Sequence, residues 1–248
     1  MRDLMLEGII AHEQVELLFQ PIIDTRTGRL AGAEALARSG AVRDVETLFA
    51  RANSAALGER LSRLIQRKAL RSAAVWERPL KDLSVSINLL PADISRAGYE
   101  RWLLEEIDAA GIDPGRITLE ITESALLADH DSAAARLNSL REAGLRIAVD
   151  DFGTGYASLA YLTSLPLDML KIDRGLIAEI VRRDRDQIVV KALISLARQL
   201  GLSVVVEGVE DAEQLALLRN WGCDLYQGFL GSPPLTHDEL ARFAAASL

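Results

Sequence analysis

From about residue 83 onward the chain alternates between short apolar runs, which read as strands, and longer segments with apolar residues three and four apart, which read as helices. That alternation calls for a parallel sheet, because consecutive parallel strands need a long crossover and a helix supplies it. Strands are expected at 83–88, 117–122, from 146 onward, 169–173, 203–207 and 225–228. The helices expected between and after them lie near 99–110, 133–143, 157–162, 187–200, 212–220 and from 237. Ahead of this region, two helices are expected within 45–76. Two further apolar runs, 17–23 and 30–36, are separated only by Asp24-Thr-Arg-Thr-Gly28 and one more residue. So short a link makes a hairpin, and the pair must be antiparallel. About eight strands with helices between most of them predict an α/β fold, a modified TIM (β/α)8 barrel with one antiparallel strand; an open doubly wound sheet is the alternative. With 248 residues, 49% hydrophobic and 26% charged, residues 1–248 suit a single domain.

The polar residues fall in a pattern within this alternation. Glu34, Asn88, Glu120, Asp150, Asp151, Lys171, Glu207 and Gln227 each stand at or near the C-terminal end of an expected strand. In a barrel those ends meet on one face, where catalytic sites sit. A single strand-end carboxylate is usually a helix cap or a solvated group, but seven strands contribute here.

The densest part of the pattern is Val149-Asp-Asp-Phe-Gly-Thr-Gly155. Adjacent side chains on a strand point to opposite faces. Asp150 and Asp151 can therefore serve one centre only if the strand ends there and the backbone turns, as Gly153 and Gly155 permit. A capping Asp on a plain strand-to-helix turn is the competing reading. A kinase Asp-Phe-Gly is excluded by the missing His-Arg-Asp loop, and a P-loop by the missing Gly-Lys-Ser/Thr.

His12, His130 and His237 lie away from the strand ends, and the lone Cys223 follows Gly222 in a turn. The donor set is thus oxygen-only, which favours Mg²⁺ or Mn²⁺ over zinc. Four or five carboxylates are enough for two such ions, and a two-metal site suits phosphoester hydrolysis. Lys171 adds a cation; on its strand it shares a face with Asp173, which is expected to orient it. The net charge of -8 gives no reason to expect long nucleic acids as partners. The single cysteine, with no leader or spanning segment apparent at the N-terminus, points to the cytoplasm and to no membrane segment in this chain.

Quoted in order, Gln20-Pro-Ile22, Glu34-Ala-Leu36, Ser86-Ile-Asn88, Leu119-Glu-Ile-Thr-Glu123, Asp150-Asp-Phe-Gly-Thr-Gly155, Leu165-Pro-Leu-Asp-Met-Leu-Lys-Ile-Asp173, Glu207-Gly-Val-Glu210 and Gly222-Cys-Asp-Leu-Tyr-Gln-Gly228 closely resemble the EAL-domain cyclic di-GMP phosphodiesterases. The resemblance covers nearly the whole chain. It implies a bacterial signalling enzyme that linearises cyclic di-GMP to pGpG with Mg²⁺ or Mn²⁺ and works as a homodimer; Ca²⁺, larger and more loosely coordinated, is expected to suppress turnover. Glu34, Asn88, Glu120 and Asp150 then look like ligands of a first metal, and Asp151 like a bridging or second-metal ligand. Glu207 would be a ligand or general base, and Lys171 would orient the attacking water. Gln20, Leu36, Arg38, Asn88 and Asp173 would contact the nucleotide, with Glu210 and Gln227 supporting the site. Glu123 would anchor the glycine-rich loop. Two departures stand out. Ser39-Gly-Ala-Val42 is shorter than the family's loop and lacks its Trp and His-Pro, and Gly231 and Pro233 stand where the family often has Phe and Arg. A cyclic di-GMP receptor with little turnover would be expected to have lost one of these ligands, and none is lost. An enolase-type barrel would need a capping domain, for which the chain has no spare length.

Overall fold

The computed structural model describes residues 3–40, 45–122, 130–154 and 159–246. Eight strands close a barrel in chain order: β1 (Glu16–Asp24), β2 (Leu30–Arg38), β3 (Ser84–Leu89), β4 (Ile117–Thr122), β5 (Arg146–Phe152), β6 (Met169–Ile172), β7 (Ser203–Val206) and β8 (Leu225–Tyr226). β1 runs antiparallel to both of its neighbours, β2 and β8, and every other pairing is parallel. The structure is the expected modified barrel, and closure rules out the open sheet.

Among the described residues the helices are α1 (Leu4–Ala11), α2 (Val45–Ser54), α3 (Gly58–Ala74), α4 (Pro91–Ser95), α5 (Tyr99–Ala110), α6 (His130–Glu142), α7 (Leu159–Ser164), α8 (Arg174–Ile177), α9 (Asp184–Gln199), α10 (Ala212–Asn220) and α11 (His237–Ala246). Helices α5 and α10 have the expected bounds. Three helices were not anticipated: α4 and α8 are too short to show a 3.6-residue period, and α1 lies ahead of the alternation. Asp211 caps α10, its carboxylate accepting from the Gln214 amide while the Gln214 side chain reaches back to Asp211 N. No helix among the described residues is long and apolar enough to cross a membrane.

Alternation along each strand builds two cores. Outward residues such as Val85, Ile87, Leu119, Ile147, Val149, Leu170, Ile172, Val204 and Val206 are buried against Leu103, Ile107, Leu137, Val190 and Ile194 of the surrounding helices. Each such side chain contributes about 1.5–3 kcal/mol by leaving water. Inside the barrel, Ile22, Ala148, Met169 and Val205 form a small apolar plug, with Leu225 packed on it. A separate cluster joins α1, α2 and α3 through Leu6, Ile9, Leu48, Ala52, Leu61 and Leu64.

The plug explains where the site must lie. A period of two carries Ala148 to Asp150, Met169 to Lys171, Val205 to Glu207 and Leu225 to Gln227, one inward layer higher. β1 runs the other way, so the same step takes Ile22 to Gln20. On the remaining strands it takes Gly32 to Glu34, Ser86 to Asn88 and Thr118 to Glu120. The lower layer holds Gly32 and the small hydroxyls of Ser86 and Thr118 beside its apolar residues, and the next layer up is polar on every strand.

Candidate active site

Lys171 lies at the centre of that polar layer and is fully buried. Its Nζ lies 2.7 Å from Glu120 Oε2, 2.8 Å from Glu207 Oε1, 2.9 Å from Asp150 Oδ1 and 3.4 Å from Glu34 Oε2. Four strands that are remote in sequence thus aim carboxylates at one ammonium. Asp173 does not orient the lysine as expected. β6 ends at Ile172, and Asp173 instead caps α8, its carboxylate accepting from Gly175 N at 2.7 Å.

One ammonium cannot neutralise four carboxylates, and their protonation divides accordingly. Burial pushes Glu34 up, but the Lys171 charge and the amides of Gln227 and Asn88 outweigh it and hold the group below the usual range. Gln227 Nε2 and Asn88 Nδ2 each donate to Glu34 at 2.8 Å. Glu120 is raised well above the usual range by burial and by the charge of Glu34. Burial also raises Glu207, to about 7. Lys171 would be lowered by burial, yet the surrounding acids, Glu120 first, hold it well above its ordinary value.

The strand β5 ends as the paired aspartates require. Asp151 adopts φ +54°, a left-handed conformation that Asp tolerates better than most residues, and its N–H donates to Asp150 Oδ1 at 3.0 Å. The register against β6 shifts between Val149 and Phe152, so Asp151 leaves the alternation that Asp150 still follows against β4. Asp150, Asp151 and Glu207 each offer an oxygen within 4.8 Å of the others'. Burial, with the Asp150 charge second, raises Asp151.

These residues fit hard divalent cations. The donors are all oxygens, and with all four acids ionised three negative charges remain uncompensated by Lys171. Glu120 Oε1 is buried with no hydrogen-bond partner, which is costly for an acceptor unless a cation or donor comes to it. Asp150, Asp151 and Glu207 form one ligand group, and Glu34 and Glu120 reach Lys171 from β2 and β4, with Asn88 of β3 bonded to Glu34.

The remaining expected site residues distribute around this centre. Gln20, Glu34, Leu36, Asp150, Asp151, Asp173, Glu207, Glu210 and Gln227 all border one cleft of about 340 Å³. Gln20 Nε2 is already engaged, donating to Ser232 O at 2.6 Å. Arg38 lies apart from the cleft; it folds back to donate to Ala37 O at 2.8 Å and borders a neighbouring apolar cavity of about 430 Å³ with Leu36, Phe49 and Ile65. Glu123 and Gly155 lie outside the described residues. Cys223 is a buried thiol pushed up to about 12 by burial, consistent with a packing role. Apart from the glycines Gly208 and Gly228, two cleft residues were missed from sequence: Arg174 and Phe229. Phe229 is 67% exposed at the rim. The signal for both was adjacency, since each lies within two residues of a residue already singled out.

The EAL domain family profile matches residues 3–234. A cyclic di-GMP phosphodiesterase of Pseudomonas aeruginosa, NbdA, is 36% identical over 97% of this chain and 31% of its own length. The chain spans about 30% of the length of the curated relatives it matches first. Among solved structures, the PaMucR phosphodiesterase in complex with c-di-GMP is 31% identical, with a TM-score of 0.87 over 96% of this chain and all 100% of that one. Klebsiella pneumoniae BlrP1, solved in calcium and manganese complexes with cy-diGMP, is 32% identical over 90% of this chain and 56% of that one, with TM-scores of 0.82 and 0.81. With its barrel, its ring of strand-end acids around Lys171 and these likenesses taken together, the chain belongs to the EAL domain family.

Proposed function

We propose that this domain hydrolyses cyclic di-GMP to linear pGpG in a divalent-metal-dependent reaction. The observation that carries the reading is the convergence of Glu34, Glu120, Asp150 and Glu207 on buried Lys171, beside the Asp150–Asp151–Glu207 oxygen cluster. The likeness to c-di-GMP-bound phosphodiesterases supports the choice of substrate.

Glu34, Asn88, Glu120 and Asp150 would hold one ion, and Asp151 and Glu207 a second, with Mg²⁺ or Mn²⁺ as the expected metals. Such ions supply charge stabilisation to the phosphate oxygens and lower the pKa of bound water. The protein's own groups do the rest. Glu207, on the cleft wall and 2.8 Å from Lys171 Nζ, is either a ligand of that second ion or the carboxylate that accepts the proton of the attacking water. Lys171, held by its four acids and unable to swing away, offsets negative charge as water adds to phosphorus and the bond to one ribose 3′ oxygen breaks. The released 3′ oxygen takes up a proton, and the new 5′ phosphate stays on the linear dinucleotide. Gln20, Leu36, Asp173 and Glu210, all on the cleft wall, are the proposed nucleotide contacts. Arg38 joins them only if it leaves Ala37 O. We place the protein in the cytoplasm, acting as a homodimer for which the exposed Leu159, Ile188 and Val189 are available apolar surface.

The test is to incubate the protein with cyclic di-GMP and Mg²⁺ or Mn²⁺ and follow pGpG by chromatography. Product is expected with either ion, and Ca²⁺ in their place should suppress it, because its looser coordination relaxes the site. Tight binding of cyclic di-GMP without product overturns the reading.

A further inference from the structure

Asn88 raises a question of position. Its side chain is exposed at the mouth of the barrel, at the penultimate position of β3, and its amide donates to Glu34 Oε1. An exposed amide is not held in place by packing. Its position must come from its backbone, and that backbone is gripped from behind by a buried polar network.

The centre of the network is Asp93 of α4, with no solvent exposure. Its Oδ2 accepts from Ser62 Oγ at 2.6 Å, Gln66 Nε2 at 3.1 Å and Leu90 N at 3.2 Å. Its Oδ1 accepts from Arg96 Nη1 at 3.1 Å, and Arg96 in turn pairs with Glu59. Gln66 Nε2 also lies 3.4 Å from Asn88 O, and Tyr99 Oη donates to Gln66 Oε1 at 2.9 Å, which fixes which end of the amide faces Asn88. Gln66 and Tyr99 are each 1% exposed. The two contacts to main chain fall on residues 88 and 90, one on each side of the turn out of β3. None of these side chains borders the cleft, while Ser62 and Gln66 line the neighbouring cavity beside Asn88.

We propose that Gln66, Asp93 and Tyr99 are positioning residues for the metal-binding end of the site, acting through the backbone of Asn88. The inference rests on the metal-dependent reading above. Buried polar groups with every partner supplied are stiff, because any displacement leaves a donor or acceptor unpaired in a dry interior. The stiffness is spent here on the carbonyl of Asn88 and the N–H of Leu90, so the Asn88 amide meets Glu34 in one orientation. Supporting residues of this kind, behind a metal ligand, typically change affinity by about 10–100-fold when removed.

The experiment is a double-mutant cycle read as Mn²⁺ affinity by calorimetry on metal-free protein. Gln66→Met keeps length and removes the hydrogen bonds; it should weaken Mn²⁺ binding on the order of tenfold. Asn88→Ala should weaken it at least as much. The double variant should bind no more weakly than Asn88→Ala alone, since the network acts only through that residue. Tyr99→Phe, which keeps the ring, should show a smaller loss and carries the same cycle if Gln66→Met fails to fold. Glu106→Gln takes the negative charge out of the 2.8 Å Arg67–Glu106 pair between the same helices, α3 and α5; it should lower the melting temperature and leave Mn²⁺ affinity unchanged. Wild-type affinity in Gln66→Met or Tyr99→Phe, losses that multiply in the double variant, or an equal loss in Glu106→Gln each overturns the proposal. A wild-type chain that takes up no Mn²⁺ overturns the metal reading and this inference with it.

Discussion

Lys171 is the side chain with the most to lose. Full burial of an ammonium is unfavourable alone, and it is sustained here by four carboxylates within 3.4 Å. Lys171→Met should therefore do more than remove a catalytic charge. It leaves Glu34, Glu120, Asp150 and Glu207 facing one another, and removing one partner of a buried ionic cluster typically costs about 3–5 kcal/mol. Urea unfolding of the metal-free variant should show a loss of that order, with much of it recovered on adding Mn²⁺, while pGpG formation stays abolished. Unchanged metal-free stability would mean that the acids are neutral without the lysine. At this scale the sequence was informative about residue type and poor about partnership. Lys171 and Asp173 share a strand parity, yet β6 stops between them and the aspartate becomes a helix cap. Strand ends are set by local competition between ladder and cap, which spacing does not encode.

Among the elements, the junction of β7 and β8 has the least tolerance. Val209 N donates to Gln227 O at 3.1 Å and Leu230 N to Val209 O at 3.0 Å, locking the loops after the two strands together. Gly228 lies between these bonds, and a Cβ there would collide with the Val209 backbone, which has no rotamer to escape into. Gly228→Ala should cost about 1–3 kcal/mol as an overpacking change. It should also weaken Mn²⁺ binding, because parting the loops draws Gln227 away from Glu34. Gly201→Ala, at φ +77° in open space at the other end of β7, is the control. It should lower stability by about 1–2 kcal/mol through backbone strain alone and leave metal affinity intact. Thermal unfolding and calorimetry on the two variants would separate the effects. β8 was expected as a strand over 225–228 and forms only over Leu225–Tyr226, whereas the alternating run of β4 was expected at its full length. Short elements are made by their neighbours and carry no period of their own.

For the molecule as a whole, the acidic ring sets how stability responds to pH. Glu207 ionises near 7 in the folded chain against an ordinary value of 4.5. A raised acid favours folding most below its ordinary value, and that contribution is lost as pH rises through about 7. Glu120 and Asp151 are shifted in the same direction. Glu34 is shifted down, so its contribution is present above its ordinary 4.5 and is lost only as pH falls below that. Metal-free protein should thus melt at a lower temperature at pH 8 than at pH 5.5. Mn²⁺, which favours the ionised acids, should reverse that slope. At a hundred times its dissociation constant it should add about 2.7 kcal/mol, or roughly 5–10 °C for a chain of this size. Melting curves with chelator and with Mn²⁺ across that range would check both signs, and a metal-independent slope would refute the account.

The sequence by itself determined the alternation, the antiparallel hairpin and the oxygen-only donor set, since each follows from short-range periodicity and residue chemistry. It also placed the polar residues at the C-terminal ends of the strands. Only the tertiary structure decided that four acids share Lys171, that Asp151 turns through a left-handed conformation, and that Gln66, Asp93 and Tyr99 brace Asn88 from behind. The reason is closure. Contacts between strands far apart in the chain depend on how the barrel is staggered, and so does the electrostatic environment of each buried group.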